Sequence, residues 1–226
     1  MAPNVIMMGP PGAGKGTQAD RFAAANGIPK ISTGDILREA VHAGTDIGRR
    51  AKVVMDRGEL VGDDVMIGIV RERLERDDAI SGFVLDGFPR TVAQAAALDD
   101  IMTGRDPLIV VDIVVPEAEL VRRLGTRMIC EDCGANAPVA AAAATVAAAC
   151  AKCGGRLVQR ADDNQAIVLE RLKVYHRQSE PLVEYYRVRP TFRAVNGAQP
   201  PDRVAADLIA AVEDVSSSPV GRGARP

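Results

Sequence analysis

The nine residues from Gly9 to Thr17, with the sequence GPPGAGKGT, constrain this chain more than any other segment. They follow the apolar run Val5 to Met8 and open a stretch with a helical pattern. Glycines allow a tight turn from strand to helix, and the backbone N–H groups of such a turn, together with Lys15, can surround phosphate oxygens. The segment therefore predicts a phosphate-binding loop, with a plain surface turn as the alternative.

The loop departs from the strict P-loop pattern at one position. That pattern places Ser or Thr directly after the lysine, whereas here Gly16 follows Lys15 and the hydroxyl comes from Thr17. A magnesium contact from this hydroxyl does not follow from the spacing alone.

Short apolar runs alternate with longer mixed stretches along the chain. This alternation predicts a parallel sheet wrapped by helices. The longest candidate helix extends from Gln165 to Arg187. The candidate strands are Val5 to Met8, the region of Ile31, Phe83 to Leu85, Leu108 to Val115 and Arg193 to Asn196.

Two segments depart from this alternation. Residues 32–61 hold helices with little strand character, and residues 126–163 hold all the cysteines and an alanine-rich tract. The tail, residues 216–226, is rich in Ser, Pro, Gly and Arg, and we expect it to be disordered. We expect the two segments to be insertions in one nucleotide-binding core made of residues 1–31, 62–125 and 164–215.

Composition excludes several classes of protein. Among 226 residues, 28 basic and 30 acidic side chains give a formal net charge of −2, so no electrostatic footprint for nucleic acid is present. The most apolar stretch, Leu108 to Val115, is too short to span a membrane and contains Asp112. The N-terminus lacks a basic region followed by an apolar segment. We therefore expect a cytoplasmic protein with no secretory signal.

The cysteines follow the spacing of a metal site. Cys130 and Cys133 form one CxxC pair, and Cys150 and Cys153 form a second after 16 intervening residues. This spacing is typical of a tetrahedral zinc site with four thiolate ligands and no open position, so the metal would be structural. Disulfides are the alternative, which the expected reducing compartment disfavours.

Two further segments place polar side chains at the ends of predicted strands. Ile31 to Arg38, ISTGDILR, brings hydroxyls, a glycine and an arginine to the rim of the phosphate loop, which suits a second phosphorylated ligand. Gly82 to Arg90, GFVLDGFPR, is a buried strand that ends in Asp86. An aspartate there would hold a hydrated magnesium ion, although a turn or helix-cap role is the alternative.

Five ordered motifs together resemble adenylate kinase of the bacterial long-lid, zinc-binding type. They are GPPGAGKGTQA, ISTGDILR, RGELV, GFVLDGFPRTVAQA and QRADD, and the resemblance extends from about Asn4 to Val215. It implies an α/β fold, a doubly wound, five-stranded parallel sheet with a helical AMP-binding insertion at residues 32–61 and a zinc-ribbon lid at residues 126–163. It also implies the reaction of ATP with AMP to give two ADP, with Mg²⁺ bound to ATP and no nucleic-acid or membrane partner.

The resemblance implies roles for individual residues, in a chain that works as a monomer. Catalytic roles fall to Lys15, Asp86, Arg90, Arg123, Arg160 and Arg171. ATP contacts fall to Gly12, Ala13, Gly14, Lys15, Gly16, Thr17, Arg123, Arg127 and the backbone of Gln199. AMP contacts fall to Thr33, Arg38, Glu59, Leu60, Val61, Gly87, Phe88, Pro89, Arg90, Gln94, Arg160 and Arg171.

The sequence departs from the family pattern at two places, and two other functions are alternatives to the one that the resemblance implies. The family usually has a second arginine where Met128 stands, and an aromatic–histidine pair within Ala135 to Ala137. Their absence predicts either weakened affinity for ATP or a relaxed choice of the donor base. A kinase for UMP or CMP is one rival, against which Thr33 argues. A non-enzymatic zinc-ribbon protein that binds nucleotide or nucleic acid is the other.

Overall fold

A five-stranded parallel sheet forms the centre of the computed structural model, which describes residues 2–137, 149–160 and 163–218. The strands of the described residues are β1 (Asn4–Met8), β2 (Lys30–Ser32), β3 (Phe83–Asp86), β4 (Leu108–Val114), β5 (Met128–Cys130), β6 (Leu157–Gln159) and β7 (Phe192–Asn196). The order in the main sheet is β2–β3–β1–β4–β7, and all its pairs are parallel. The predicted parallel sheet is confirmed.

Helices cover the main sheet and form most of the segment between β2 and β3. They are α1 (Lys15–Asn26), α2 (Thr33–His42), α3 (Asp46–Met55), α4 (Asp63–Leu74), α5 (Val92–Ile101), α6 (Glu117–Gly125), α7 (Gln165–Val174), α8 (Pro181–Arg187) and α9 (Pro201–Ser217). Within the part of the chain that the structure describes, no helix has both the length and the apolar character needed to cross a membrane.

Alternate residues of the central strands face opposite layers of helices. Ile6 and Leu85 point into a core completed by α4, α5 and α8, whereas Val5 and Val84 point into a second core completed by α1 and α9. A parallel sheet covered on both faces needs apolar residues at successive positions, which explains the continuous apolar runs in the sequence. The sheet is therefore doubly wound.

The segment from 32 to 61 consists of two closely packed helices. Ser32 caps α2 by accepting a hydrogen bond from the Asp35 N–H at 3.3 Å, and Thr45 caps α3 through the Gly48 N–H at 3.0 Å. Gly48 lies directly against the backbone of Ala40, where any Cβ would collide. Caps and a glycine contact thus fix how the two helices meet.

Two predicted boundaries are wrong. The expected single helix from Gln165 to Arg187 contains a π-helical turn at Tyr175–Ser179, in which the Glu180 N–H donates to the Tyr175 carbonyl, before α8 begins at Pro181. Proline has no N–H and clashes with the carbonyl four residues back, so regular α-helical bonding is interrupted there. The expected disordered tail starts too early, because α9 includes Ser216 and Ser217. The tail from 219 lies outside the described residues.

A cluster of three side chains fastens α8 to α5. Asp99 of α5 accepts hydrogen bonds from Arg189 at 2.8 and 2.6 Å and from the Tyr185 hydroxyl at 2.6 Å. The Arg189 guanidinium also lies 4.5 Å from the ring centre of Tyr186. Tyr186 is fully buried, and its hydroxyl has no hydrogen-bond partner among the described residues.

Loss of the hydroxyl should therefore change the free energy of unfolding differently at the two neighbouring tyrosines. We expect Tyr185→Phe to lower the free energy of unfolding by roughly 1–2 kcal/mol, because a charged acceptor loses a donor. We expect Tyr186→Phe to leave it unchanged or raise it by up to about 1 kcal/mol, because an unpaired buried hydroxyl is removed. Urea denaturation of both variants measures the difference, and equal losses would contradict the assignment.

Candidate active site

The phosphate-binding loop connects the end of β1 to the start of α1. Gly9, Gly12 and Gly14 have φ angles of 132°, 85° and 96°, a region that other residues rarely adopt. A Cβ on Gly9 would lie 2.6 Å from the carbonyl oxygen of Ile113, so the loop also packs tightly on β4. The free N–H groups at the start of α1 face the end of the loop, where an anion is favoured.

Lys15 lies folded back within this loop. Its ammonium donates hydrogen bonds to the carbonyl oxygens of Gly9 at 2.7 Å and Pro10 at 2.9 Å. Burial lowers the pKa of Lys15 to about 8; the carboxylate of Asp86 opposes this, and the charges of Arg90 and Arg171 add to it. The loop thus holds a lysine whose positive charge is costly until an anion arrives.

Asp86 lies at the carboxyl end of β3, between the phosphate loop and β2. In the sheet it pairs with Met7 of β1 and Ser32 of β2. Its Oδ2 would lie 3.3 Å from a Cβ placed on Gly16, so the carboxylate contacts the first turn of α1. Carboxylate oxygen is a donor that Mg²⁺ prefers, and this position fits a hydrated ion carried by a nucleotide.

The same edge of the sheet carries the second group of predicted site residues. The Thr33 hydroxyl donates to the Gly87 carbonyl at 2.8 Å, and the Arg90 Nε donates to that same oxygen at 2.8 Å. Gln94 accepts from the Arg90 N–H at 2.7 Å and donates to Asp63 at 2.7 Å. These bonds connect the start of α2 with the turn after β3 and the start of α4.

One cleft brings most of the predicted residues together. The predicted residues that line it are Lys15, Thr33, Arg38, Glu59, Leu60, Val61, Gly87, Pro89, Arg90, Gln94, Arg160 and Arg171. Phe88 is buried in the core with 1% exposure and does not line the cleft. Tyr175, in the π-helical turn, lines the cleft but was missed, since nothing in the sequence marks a π-helical turn.

Several predicted arginines are held by carboxylates. Asp163, whose side chain is fully buried, accepts two hydrogen bonds of 2.6 Å from Arg127 and one of 3.0 Å from Arg171. Arg123 donates to Glu119 at 2.7 Å and to the Gly197 carbonyl at 3.0 Å. Sequence reasoning missed these carboxylates; the only signal was the place of Asp163 at the end of QRADD.

Other predicted ATP contacts lie outside the residues that line the cleft. Gln199 follows β7, and its side-chain amide donates to Asp207 at 2.8 Å and to the Asn196 carbonyl at 3.1 Å. Its backbone is near Gly197, whose carbonyl oxygen accepts a hydrogen bond from Arg123. The members of the predicted set that do not line the cleft are Gly12, Ala13, Gly14, Gly16, Thr17, Asp86, Phe88, Arg123, Arg127 and Gln199.

The four cysteines converge on one point in the small antiparallel pair of β5 and β6. All four Sγ atoms lie within 4.8 Å of one another, and the Cys130–Cys153 and Cys133–Cys150 Sγ distances are 3.4 and 3.7 Å. Four thiolates at about 2.3 Å from a zinc ion have Sγ atoms roughly 3.8 Å apart, so the donor set fits. All four are free thiols.

Two matching turns build this cluster. Gly134 and Gly154 have φ angles of 68° and 77°, and each N–H donates to the carbonyl of the first cysteine of its pair, at 3.0 and 2.8 Å. The Lys152 N–H donates to the Cys150 Sγ at 3.4 Å, and such backbone donors lower the pKa of the Cys150 thiol to about 7. The described part of the segment is made of strands and turns. Most of the alanine tract, residues 138–148, lies outside the described residues.

Comparison with known proteins gives one consistent family. The sequence matches the family model described as "Adenylate kinase" over residues 7–191. The adenylate kinase of Archaeoglobus fulgidus is 49% identical over 216 residues, which cover 95% of this chain and all of that protein. The adenylate kinase of Geobacillus sp. (strain WCH70) is 49% identical over 207 residues, covering 91% and 96% of the two chains. That of Geobacter sp. (strain M21) is 48% identical over 211 residues, covering 92% and 99%.

The pKa of Lys15 makes polyphosphate binding dependent on pH. Because Lys15 is charged below about pH 8 and neutral above it, we expect the affinity for inorganic tripolyphosphate to fall as the pH rises through that value. The loss should approach about tenfold per pH unit, with proton uptake on binding. Calorimetry in buffers of different ionisation enthalpy measures both quantities.

Two variants serve as controls for this dependence. Lys15→Met should bind tripolyphosphate weakly and lose the dependence, whereas Lys52→Met, an exposed lysine on α3 paired with Asp56, should keep it. If the pH dependence of the affinity persists in Lys15→Met, a group other than Lys15 causes it.

Proposed function

Because the chain belongs to the adenylate kinase family, we propose that the cleft between the phosphate loop and the turn after β3 is where its two nucleotides meet. The chain is a kinase that transfers a phosphoryl group reversibly from ATP to AMP and so forms two ADP. The doubly wound sheet and the P-loop agree with this activity.

The observation that carries the assignment of the site is the convergence of cations on one cleft. Lys15 approaches it from the phosphate loop, Arg90 from the turn after β3, and Arg160 and Arg171 from the segment on either side of residue 163. In our proposal the phosphate loop holds the ATP phosphates, and Thr33, Arg38 and Arg90 hold AMP. Residues from separate parts of the chain are then shared by both phosphate chains.

Such a cation set suits phosphoryl transfer. The transition state is loose and spreads negative charge over equatorial oxygens, so catalysis depends on positioning and on compensation of charge. Arginine is suited to this task because it is always charged and pairs with phosphate oxygens through two parallel hydrogen bonds. No strong general base is needed.

Magnesium and zinc would bind at separate sites. Asp86 would hold the hydrated Mg²⁺ that accompanies ATP, and the ion would compensate phosphate charge. Cys130, Cys133, Cys150 and Cys153 would hold a structural Zn²⁺, because four thiolates leave no open position for a substrate. The metal would fasten a small segment that has little apolar core of its own.

We further propose that residues 32–61 and 126–163 move relative to the core when nucleotides bind. Support comes from the distribution of cations, since Arg38 belongs to the first segment and Arg127 and Arg160 to the second. Closure of such segments excludes water and limits transfer to it. We also propose that the chain works as a monomer in the cytoplasm, since a cluster of free thiols with metal-ligand spacing is typical of a reducing compartment.

A coupled assay tests the activity and the site together. We expect ADP to form from ATP with AMP and only slowly with UMP, CMP or GMP, and Arg90→Ala to lower kcat by roughly 100-fold to 1000-fold. Arg76→Ala changes an exposed arginine that follows α4; it is the matched control and should keep full activity. A preference for UMP or CMP would support the rival kinase, and full activity in Arg90→Ala would overturn the proposed site.

Replacing ATP by GTP or CTP in the same assay tests donor choice. We expect appreciable rates with all three, because Met128 and Ala135 to Ala137 supply no cation or ring to the lid. A strong preference for ATP with ordinary affinity would contradict this expectation.

Removal of the metal tests the thiolate site. We expect about one zinc per chain in elemental analysis, and a visible absorption band would indicate iron instead. Chelation, or Cys153→Ser, should lower the melting temperature of the lid segment, and added zinc should restore only the chelated protein. A metal-free protein with an unchanged melting curve would contradict a stabilising metal.

A further inference from the structure

Lys30, at the first position of β2, joins the phosphate-loop helix to the helix that carries Arg38. Its ammonium lies 2.7 Å from the Asp20 carboxylate on α1 and 3.4 Å from the Asp35 Oδ2 on α2. The lysine side chain is 18% exposed, well below the exposure of either carboxylate. A single amine therefore connects two helices that lead to different sides of the cleft.

Asp35 is also the partner of Arg38. The Arg38 guanidinium pairs with the Asp35 Oδ1, whereas Lys30 faces the other oxygen of the same carboxylate. Arg38 lies across the first turn of α2, since its terminal nitrogens would be 3.1 and 3.2 Å from a Cβ on Gly34. Gly34 and Arg38 both line the cleft. Arg38 is therefore held by a carboxylate at the place from which it would reach a phosphate.

The pKa values of Lys30 and Asp35 are both shifted in the direction that favours the charged form. Burial acts to lower the pKa of Lys30, but the hydrogen bond with Asp20 and the charge of Asp35 outweigh it and raise the pKa. Burial acts to raise the pKa of Asp35, but the charge and hydrogen bond of Arg38 outweigh it and lower the pKa. The arrangement is thus a sequence of alternating charges: Asp20, Lys30, Asp35 and Arg38.

We propose that Lys30 is a positioning residue for AMP binding, which keeps Asp35 paired when Arg38 moves from that carboxylate to the AMP phosphate. The proposal rests on the proposed role of Arg38. Without Lys30, the departure of Arg38 leaves Asp35 without a cation, so the arginine is retained by the carboxylate. With Lys30, the same carboxylate keeps one partner in both states, and Arg38 is released at lower cost.

Lys30→Met tests the proposal through its effect on AMP alone. We expect the KM and the calorimetric Kd for AMP to rise about twofold to fivefold, with kcat and the KM for ATP unchanged, because ion pairs with exposed carboxylates are modest in strength. Lys52→Met is the matched control, because Lys52 pairs among the described residues with Asp56 only and does not line the cleft. It should leave all these constants unchanged.

Two further variants test the direction of the effect. Asp20→Asn frees Lys30 to pair with Asp35 alone and should lower the Kd for AMP or leave it unchanged. In an Asp35→Asn background, Lys30→Met should have no effect on AMP binding, because the shared carboxylate is gone. If Lys30→Met folds poorly, the Asp20→Asn result still decides, since a weaker AMP affinity there would overturn the proposal.

The results of these experiments distinguish the role proposed for Lys30 from the role proposed for Arg38. Arg38→Met should raise the Kd for AMP strongly whatever Lys30 does, and an unchanged Kd would refute the role of Arg38 itself. If Arg38→Met weakens AMP binding but Lys30→Met does not, only the role of Lys30 is refuted. Equal increases in the KM for ATP and for AMP would indicate a general structural effect and would also overturn the role of Lys30.

Discussion

Concentrated positive charge in one cleft is the constraint on which the rest of the site depends. Burial lowers the pKa of Lys15, and the nearby charges of Arg90 and Arg171 lower it further. Like charges so close together repel one another. Before phosphates bind and compensate them, carboxylates of the protein must do so. Asp163 and Asp86 supply this negative charge beside the cations. The same principle explains why arginines that would bind phosphate are paired with carboxylates.

This balance connects the fold to the chemistry. The parallel register of β1, β2 and β3 places the phosphate loop, Asp86 and the start of α2 at one edge of the sheet. The strands therefore fix the positions of the phosphate loop and Asp86, whereas the arginines belong to segments outside the sheet. In the proposed function, these arginines would exchange a carboxylate for a phosphate. Exchange between anions costs less than creating an unpaired charge, so binding energy can be directed to the transition state. In the proposed function, a metal held by the four cysteines would contribute differently, by giving the small β5–β6 segment a fixed shape without a large apolar core.

Much of the fold and of the cleft followed from local sequence signals. The glycine spacing, the apolar runs and the CxxC pairs predicted the phosphate loop, the five-stranded sheet and the convergence of thiols, each of which depends on neighbours in sequence or on a strict pattern. The π-helical turn at Tyr175 and the continuation of α9 through Ser217 were not predictable in this way. Pro181 marks an interruption of the helix in the sequence but does not indicate that it takes the form of a π-helical turn. The residues Ser216 and Ser217 lie at a helix end, which the residue pattern fixes only to within a few residues.

The sequence by itself determined which chemical groups are present and the order in which they follow the strands, because backbone freedom at glycine, apolar periodicity and ligand spacing are local properties. Only the tertiary structure decided which carboxylate faces which cation: Asp163 with Arg127 and Arg171, and Lys30 between Asp20 and Asp35. The members of the first set lie 8 and 36 residues apart, and those of the second come from two helices and a strand. Electrostatic energy depends on distance in space, which sequence separation does not reveal.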